Sequence, residues 1–200
     1  MMGVVEQKRS KIMKKKRKTD IRTEIVLKTL YKGLEDSLRT KSISNIFICE
    51  ICDAVEVHRT TFYKHFKDKY DLLNNYIKYS LKPIREIEYD IDVYSTPKDF
   101  YNTLVEKFFA YISEYKELIK EILIADEEHG DFVNASKEVL KELISEKLVE
   151  VETAGYTLSS SNGVLSAIYS GAIVSLIQYW VTNKNISKDL LIKAVSSLIS

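Results

Sequence analysis

Residues 58–66 read His-Arg-Thr-Thr-Phe-Tyr-Lys-His-Phe, a dense set of donors around two aromatic anchors. On an α-helix Phe62 and Phe66 lie one turn apart and can bury a common face. Arg59 and Tyr63, and Thr60 and Lys64, pair at the same spacing on other faces. These are the side chains that read duplex DNA. A guanidinium such as Arg59 meets a guanine edge bidentately, and Thr60 can contact a base edge or a thymine methyl. Thr61, Tyr63, Lys64 and His65 carry donors suited to phosphate oxygens. Lys69, just beyond, adds another phosphate partner. The plain alternative is an amphipathic helix with a solvated face, and spacing alone leaves both readings open.

Catalytic chemistry has no comparable set. The sequence shows no Ser/His/Asp constellation, no glycine-rich phosphate loop and no paired-carboxylate signature. Cys49-x-x-Cys52 has too few further ligands for a metal site and lacks a redox-motif context. Both thiols are expected to be structural, with Cys52 in the core beside Ile48 and Ile51. The run Asp126-Glu127-Glu128-His129 reads as a solvated loop, with metal binding as the alternative. Neither an enzyme, a metal nor a cofactor is expected.

These residues need elements to hold them. Six Gly and two Pro in 200 residues provide few turns, which argues against a hairpin-rich fold. Leu27, Leu30, Tyr31, Leu34 and Leu38 mark the first helix, starting near Asp20. A short helix around residues 46–54 and another around 59–66 follow, joined by a tight connection, which makes a helix-turn-helix. Asp68 caps a fourth, with Pro83 ending or kinking it. Thr96, Pro97 and Asp99 signal a fifth start. Helices are expected over 115–124, about 132–153 with Gly155 at the exit, 162–181, and 188–199 capped by Ser187. The fold class is all-α with about nine helices. Its parts are a flexible basic arm (1–19), a helix-turn-helix head (20–67) and a helical regulatory and dimerisation body (68–200).

Charge divides along the same line. The net charge is +1. Residues 1–85 hold 20 Lys/Arg against 10 Asp/Glu, and residues 86–200 hold 10 against 19. The front is therefore +10 and the rear −9, which suggests different partners for the two parts. Eight of residues 8–18 are cationic. The arm therefore suits nonspecific attraction to phosphates and is no secretory signal, so a cytoplasmic location is expected.

Residues 153–183 lack charge and are long enough for a bilayer span. Ser166, Ser170, Ser175 and Gln178 interrupt them. Gly163, Ala167, Gly171 and Ser175 recur every fourth residue, a stripe that lets two helices approach closely.

The segment 61–73, with 47–55 and the leading helix before it, resembles the DNA-binding domain of TetR/AcrR-family transcriptional regulators. The Thr-Phe-Tyr-x-His-Phe-x-x-Lys-x-x-Leu-Leu core carries that resemblance, over about residues 20–80. The segment 169–181 is similar to the C-terminal domain of Firmicutes members. The resemblance implies a homodimer, with helices 162–182 and 187–199 forming a four-helix bundle across a two-fold axis; membrane insertion is not expected. It places Gly163, Ala167, Gly171 and Ser175 at the dimer interface. It also implies an effector pocket, for which Phe108, Tyr111, Tyr169 and Tyr179 are lining candidates, with Phe109, Tyr115 and Trp180 as further aromatics. The partners implied are an operator, a second copy, and an unidentified small-molecule effector or partner protein. The function implied is a ligand-responsive repressor on a near-palindromic operator, the alternative being a protein-partnered co-regulator or activator. Two positions depart from the family pattern. Glu56 stands where the inter-helix turn usually carries Gly. Phe47 replaces a capping Thr, a role left to Ser44 or Asn45.

Overall fold

The computed structural model describes residues 21–183 and 185–198, and every regular element among them is helical. The basic arm at 1–19 lies outside the described residues. Helix α1 covers 21–38, and a 3-10 turn, Ile43–Asn45, leads into α2, Ile48–Ala54, and α3, Arg59–His65. The period-3.6 stripe of α1 does what it predicts: Leu30, Leu34 and Leu38 are buried against Ile51, Cys52 and Phe62. Gly33 permits this approach. A Cβ there would lie 2.7 Å from Cγ1 of Val55, so α1 and α2 could not close together as they do.

The α2–α3 turn is a Schellman arrangement. Val57 N–H donates to the Cys52 carbonyl at 2.9 Å, and Glu56 N–H reaches that of Asp53 at 3.4 Å. Glu56 takes φ = 55°. The motif therefore demands the left-handed conformation that Gly adopts without strain, and a side chain there costs about 1–2 kcal/mol.

Helix α4, Lys69–Ser80, begins at Asp68, whose carboxylate accepts from Tyr70 N–H at 2.9 Å and Asp71 N–H at 2.8 Å. Pro83 does not simply end it. Proline is pre-set for a first helical turn and sits early in an additional short helix, α5, Lys82–Arg85. That element makes ten α-helices among the described residues where about nine are expected. The body then runs α6, Pro97–Glu114; α7, Lys116–Ala125; α8, Asp131–Thr153; α9, Asn162–Thr182; and α10, Lys188–Leu198. Thr96 caps α6 through Asp99 N–H, as its sequence predicts. Gly155 takes φ = 94° at the exit of α8, and Ser187 Oγ accepts from Leu190 N–H at the start of α10.

Within the body α8 and α9 pair most extensively, α10 lies on α6, and α4 connects the head by packing on α8. One apolar cluster runs from Leu30 in the head to Val195 in α10. Lys147 crosses it. The residue is 5 % exposed, and its ammonium donates to the carbonyls of Arg85 (2.7 Å) and Ile87 (2.6 Å) and to Glu150 (2.7 Å). All three donors are used, which is the condition for burying a charge. Among the described residues α9 is one helix long and apolar enough to cross a membrane by length and composition. Its buried serines, Ser166 and Ser170, turn their hydroxyls to the carbonyls of Gly163 and Ala167.

Candidate functional site

Helix α3 is short and held by its aromatics. Phe62 is completely buried, Phe66 nearly so, with ring centroids 5.7 Å apart. That anchorage turns Arg59, Thr60, Tyr63 and Lys64 outward to solvent, while Thr61 and His65 are half-buried. Tyr63 is 58 % exposed, with its ring edge-on to Phe62. The helix thus presents donors of the kind that read base edges and phosphates, on a support that does not yield.

The neighbouring helix α2 starts differently from its sequence reading. Neither Ser44 nor Asn45 caps it; both lie in the preceding 3-10 turn. Phe47 occupies the N-cap position, where a phenyl ring accepts no hydrogen bond. Glu50 compensates by reaching back to Phe47 N–H at 3.1 Å, and Lys41 pairs with it at 2.9 Å. Phe47 is itself 66 % exposed. Lys69 is also placed otherwise than as a free phosphate partner. It is half-buried and donates to the carbonyls of Ser44 (2.7 Å) and Ile46 (3.0 Å). Two of its three N–H groups thus secure the turn before α2, an inward use that its position after the motif did not reveal.

Ser44 and Asn45 instead meet the body. The Ser44 hydroxyl donates to Asp131, and Asn45 lies 3.5 Å from the His129 ring. The α7–α8 corner therefore sits directly on the entry to the helix-turn-helix. At its centre is Asp126, which the solvated-loop reading placed outside. Glu127, Glu128 and His129 are exposed, but Asp126 is 2 % exposed. Its carboxylate accepts from Phe132 N–H (2.8 Å) and Val133 N–H (3.4 Å). It so satisfies first-turn donors of α8, which follows Gly130 at φ = 68°. Burial holds this carboxyl above the ordinary range despite those bonds, with nearby Asp131 adding to the rise. No group of three or more His, Cys, Asp or Glu side chains among the described residues is arranged to hold a metal.

Two mainly apolar cavities flank the α6–α8 core, besides a more open and polar cleft of about 860 Å³ along residues 86–94. The larger of the two, about 640 Å³, lies between the head helix α1 and the linking helix α4 on one side and the body helices α6–α9 on the other. A smaller one, about 350 Å³, lies inside the body. Phe108 lines both, Tyr111 the larger and Tyr169 the smaller. Tyr179 lines neither; it is 54 % exposed on the outer face of α9. Trp180 is a core tie: its indole N–H donates to the Ile186 carbonyl at 3.1 Å and Lys116 sits over its ring. Among the aromatics that sequence reasoning missed are Tyr31 and Tyr76, head and link residues that also line the larger cavity. Their place in the apolar stripes of α1 and α4 was visible, but which body helix faces them was not.

On α9, Gly163, Ala167 and Ser175 are exposed beside Val164 and Ile168, while Gly171 is half-buried near the Lys137 side chain. The helix is apolar around its whole circumference. One side packs on α7 and α8 and the other faces outward.

Residues 99–200 match the family described as Transcriptional regulator C-terminal region, of the TetR type. A TetR-family regulator from Syntrophomonas wolfei is similar in fold, with 19 % identity, TM-score 0.63, and 86 % of this chain and 91 % of that one covered. The dihydroxyacetone kinase operon activator DhaS gives 14 % identity, TM-score 0.52 and coverage of 88 % and 94 %. NalD of Pseudomonas aeruginosa, the secondary repressor of the MexAB-OprM multidrug efflux pump, gives 16 %, 0.51, and 88 % and 95 %. No curated protein sequence matches significantly.

Proposed function

Because the chain belongs to the TetR family of transcriptional regulators, we propose that it is a homodimeric, ligand-responsive repressor that binds a near-palindromic operator. The observation that carries this reading is α3: buried Phe62 and Phe66 fix the helix, and Arg59, Thr60, Tyr63 and Lys64 stand free to enter a major groove. Arg59 and Thr60 would read base edges, while Thr61, Tyr63, Lys64 and His65 position the helix on phosphates. The third N–H of Lys69 would serve the same backbone.

One such head makes few base contacts, so a second copy is required for specificity. The outward apolar side of α9, with Gly163, Ala167, Gly171 and Ser175 allowing close approach, would pair with its counterpart, and α10 would complete the bundle. Two heads then span half-sites one helical turn, ~34 Å, apart.

An effector in a cavity acts only through differential affinity for two states. The cavity beside the head, about 640 Å³ and lined mainly by apolar side chains, favours a small molecule over a partner protein as effector. Phe132 and Val133 line it, and Asp126 holds their N–H groups. The same corner binds Ser44 and Asn45. Displacement of the first turn of α8 would therefore shift the entry to the helix-turn-helix. The test is a gel shift against the chain's own upstream region across a salt series. Preference over random duplex is expected, and equal affinity for both would refute the reading.

A further inference from the structure

The larger cavity is unusual in its ownership, because the head helix α1 forms part of its wall. Its chemistry is graded. The far end is aliphatic, with Ile112, Leu118, Ile122, Leu140 and Val174 all buried. A belt of tyrosines follows: Tyr31 lies 5.0 Å from Tyr79 and 6.0 Å from Tyr76, and Tyr111 lies 5.0 Å from Tyr115, between ring centroids. Charged groups stand in the lining contributed by α1 and α5, and each has a partner. Glu24 pairs with Lys28 at 2.8 Å. Lys32 pairs with Asp36 at 2.9 Å and Glu35 at 3.2 Å. Lys82 pairs with Glu86 at 3.5 Å. Glu35 also accepts from the Tyr76 hydroxyl at 3.2 Å.

These pairs stand toward solvent, with the three lysines more than half exposed, while the aliphatic interior carries no charge, so a ligand charge taken into that interior would go uncompensated. Hydrogen bonding is available without charge: Glu35 takes the hydroxyl hydrogen of Tyr76, but the phenol oxygen keeps a lone pair that can accept from a ligand hydroxyl. Burial drives the Tyr76 and Tyr111 hydroxyls well above the usual phenol range, so both remain neutral around pH 7. The volume of about 640 Å³ falls within the range that encloses small organic molecules.

We propose that the cavity between head and body binds an uncharged, mainly apolar molecule whose single polar group is hydrogen-bonded by the tyrosine belt. The proposal rests on the reading of the chain as a ligand-responsive regulator and names the effector's class. Because α1 and α4 supply one wall and α6–α9 the other, occupancy ties ligand affinity to the head's position, and by linkage DNA must alter ligand affinity equally.

The test uses the full chain without DNA, so that its outcome is separate from the gel shift above. N-phenyl-1-naphthylamine serves as a neutral fluorescent reporter. It is displaced by three ligands sharing one decyl chain: 1-decanol, undecanoate and decyltrimethylammonium. Decanol is expected to displace the reporter at about tenfold lower concentration than either ion, the order set by the cost of burying charge. Ser136→Trp, which projects bulk from α8 into this cavity, should abolish displacement. Ser136→Leu should weaken it if the Trp variant fails to fold. Ser159→Trp, at the smaller cavity, should leave it unchanged. Equal or tighter binding of either ion, failure of the reporter to bind, or loss through Ser159→Trp alone would overturn the proposal.

Discussion

The α2–α3 pair and the body use polar residues in opposite directions. Helices α2 and α3 bury only apolar side chains and Cys52, and the donors of α3 face outward. The body buries Asp126, Lys147, Ser166 and Ser170 and gives each of them a hydrogen-bond partner inside the protein, with Oδ1 of Asp126 left unpaired. Polar groups left toward solvent are available to another molecule, whereas polar groups turned inward fix a geometry. The contrast separates recognition from transmission on one chain.

Substitutions can test that division. The largest effect is expected from Lys147→Met. It leaves the Arg85 and Ile87 carbonyls and the Glu150 carboxylate without their ammonium, and breaking a buried pair in this way costs about 3–5 kcal/mol. Urea unfolding should show the loss, and a change below 1 kcal/mol (roughly the worth of an exposed pair) would remove Lys147 from the inward class. Arg59→Ala should act on the other side of the contrast. Operator affinity is expected to fall by about 1–3 kcal/mol with the melting temperature unchanged; an equal fall on random DNA would make Arg59 a phosphate contact instead. Glu56→Gly removes the left-handed strain at the turn but adds backbone entropy to the unfolded chain. A net gain of about 1 kcal/mol is expected in the unfolding free energy, with half-site preference retained.

The smallest effect concerns Asp126, and it depends on pH. Its folded carboxyl titrates above the ordinary 3.8, so the folded state binds this proton more tightly than the unfolded chain. Stability from this group is therefore full below about 3.8 and lost as pH rises through the raised value. Asp126→Asn keeps an oxygen for Phe132 N–H and removes the buried charge. It should match or exceed the wild type near pH 7, and the wild type should recover relative to it as pH falls toward 4. A difference independent of pH would show that Asp126 keeps its ordinary titration in the folded protein.

Much of this arrangement was legible in the residues. Local signals named their own elements: Asp68, Thr96 and Ser187 cap the helices they precede, and Phe62 and Phe66 are the anchors of α3. Glu56 marked a turn whose positive φ the structure displays. What sequence left hidden depends on contacts between distant segments. Lys69 reads as a free cation until the carbonyls of Ser44 and Ile46 are brought to it. Asp126 reads as one acid in an exposed run until α8 starts beside it. Tyr179 looked like its aromatic neighbours, yet α9 carries it outward because its apolar character is uniform and does not say which face is inside.

The unbroken apolar cluster from Leu30 to Val195 bears on how the chain comes apart. Head and body share side-chain neighbours across α4 and the wall of the larger cavity, so neither boundary is a seam along which folding can be halved. Unfolding is then expected to be cooperative, with one transition seen alike by tyrosine and by Trp180. A fragment ending after α3 would expose the faces that α4 and α8 cover and would not persist alone. Motion compatible with such a core carries the head together with α4 and the α7–α8 corner that meets Ser44 and Asn45, so a displaced first turn of α8 would take α3 with it.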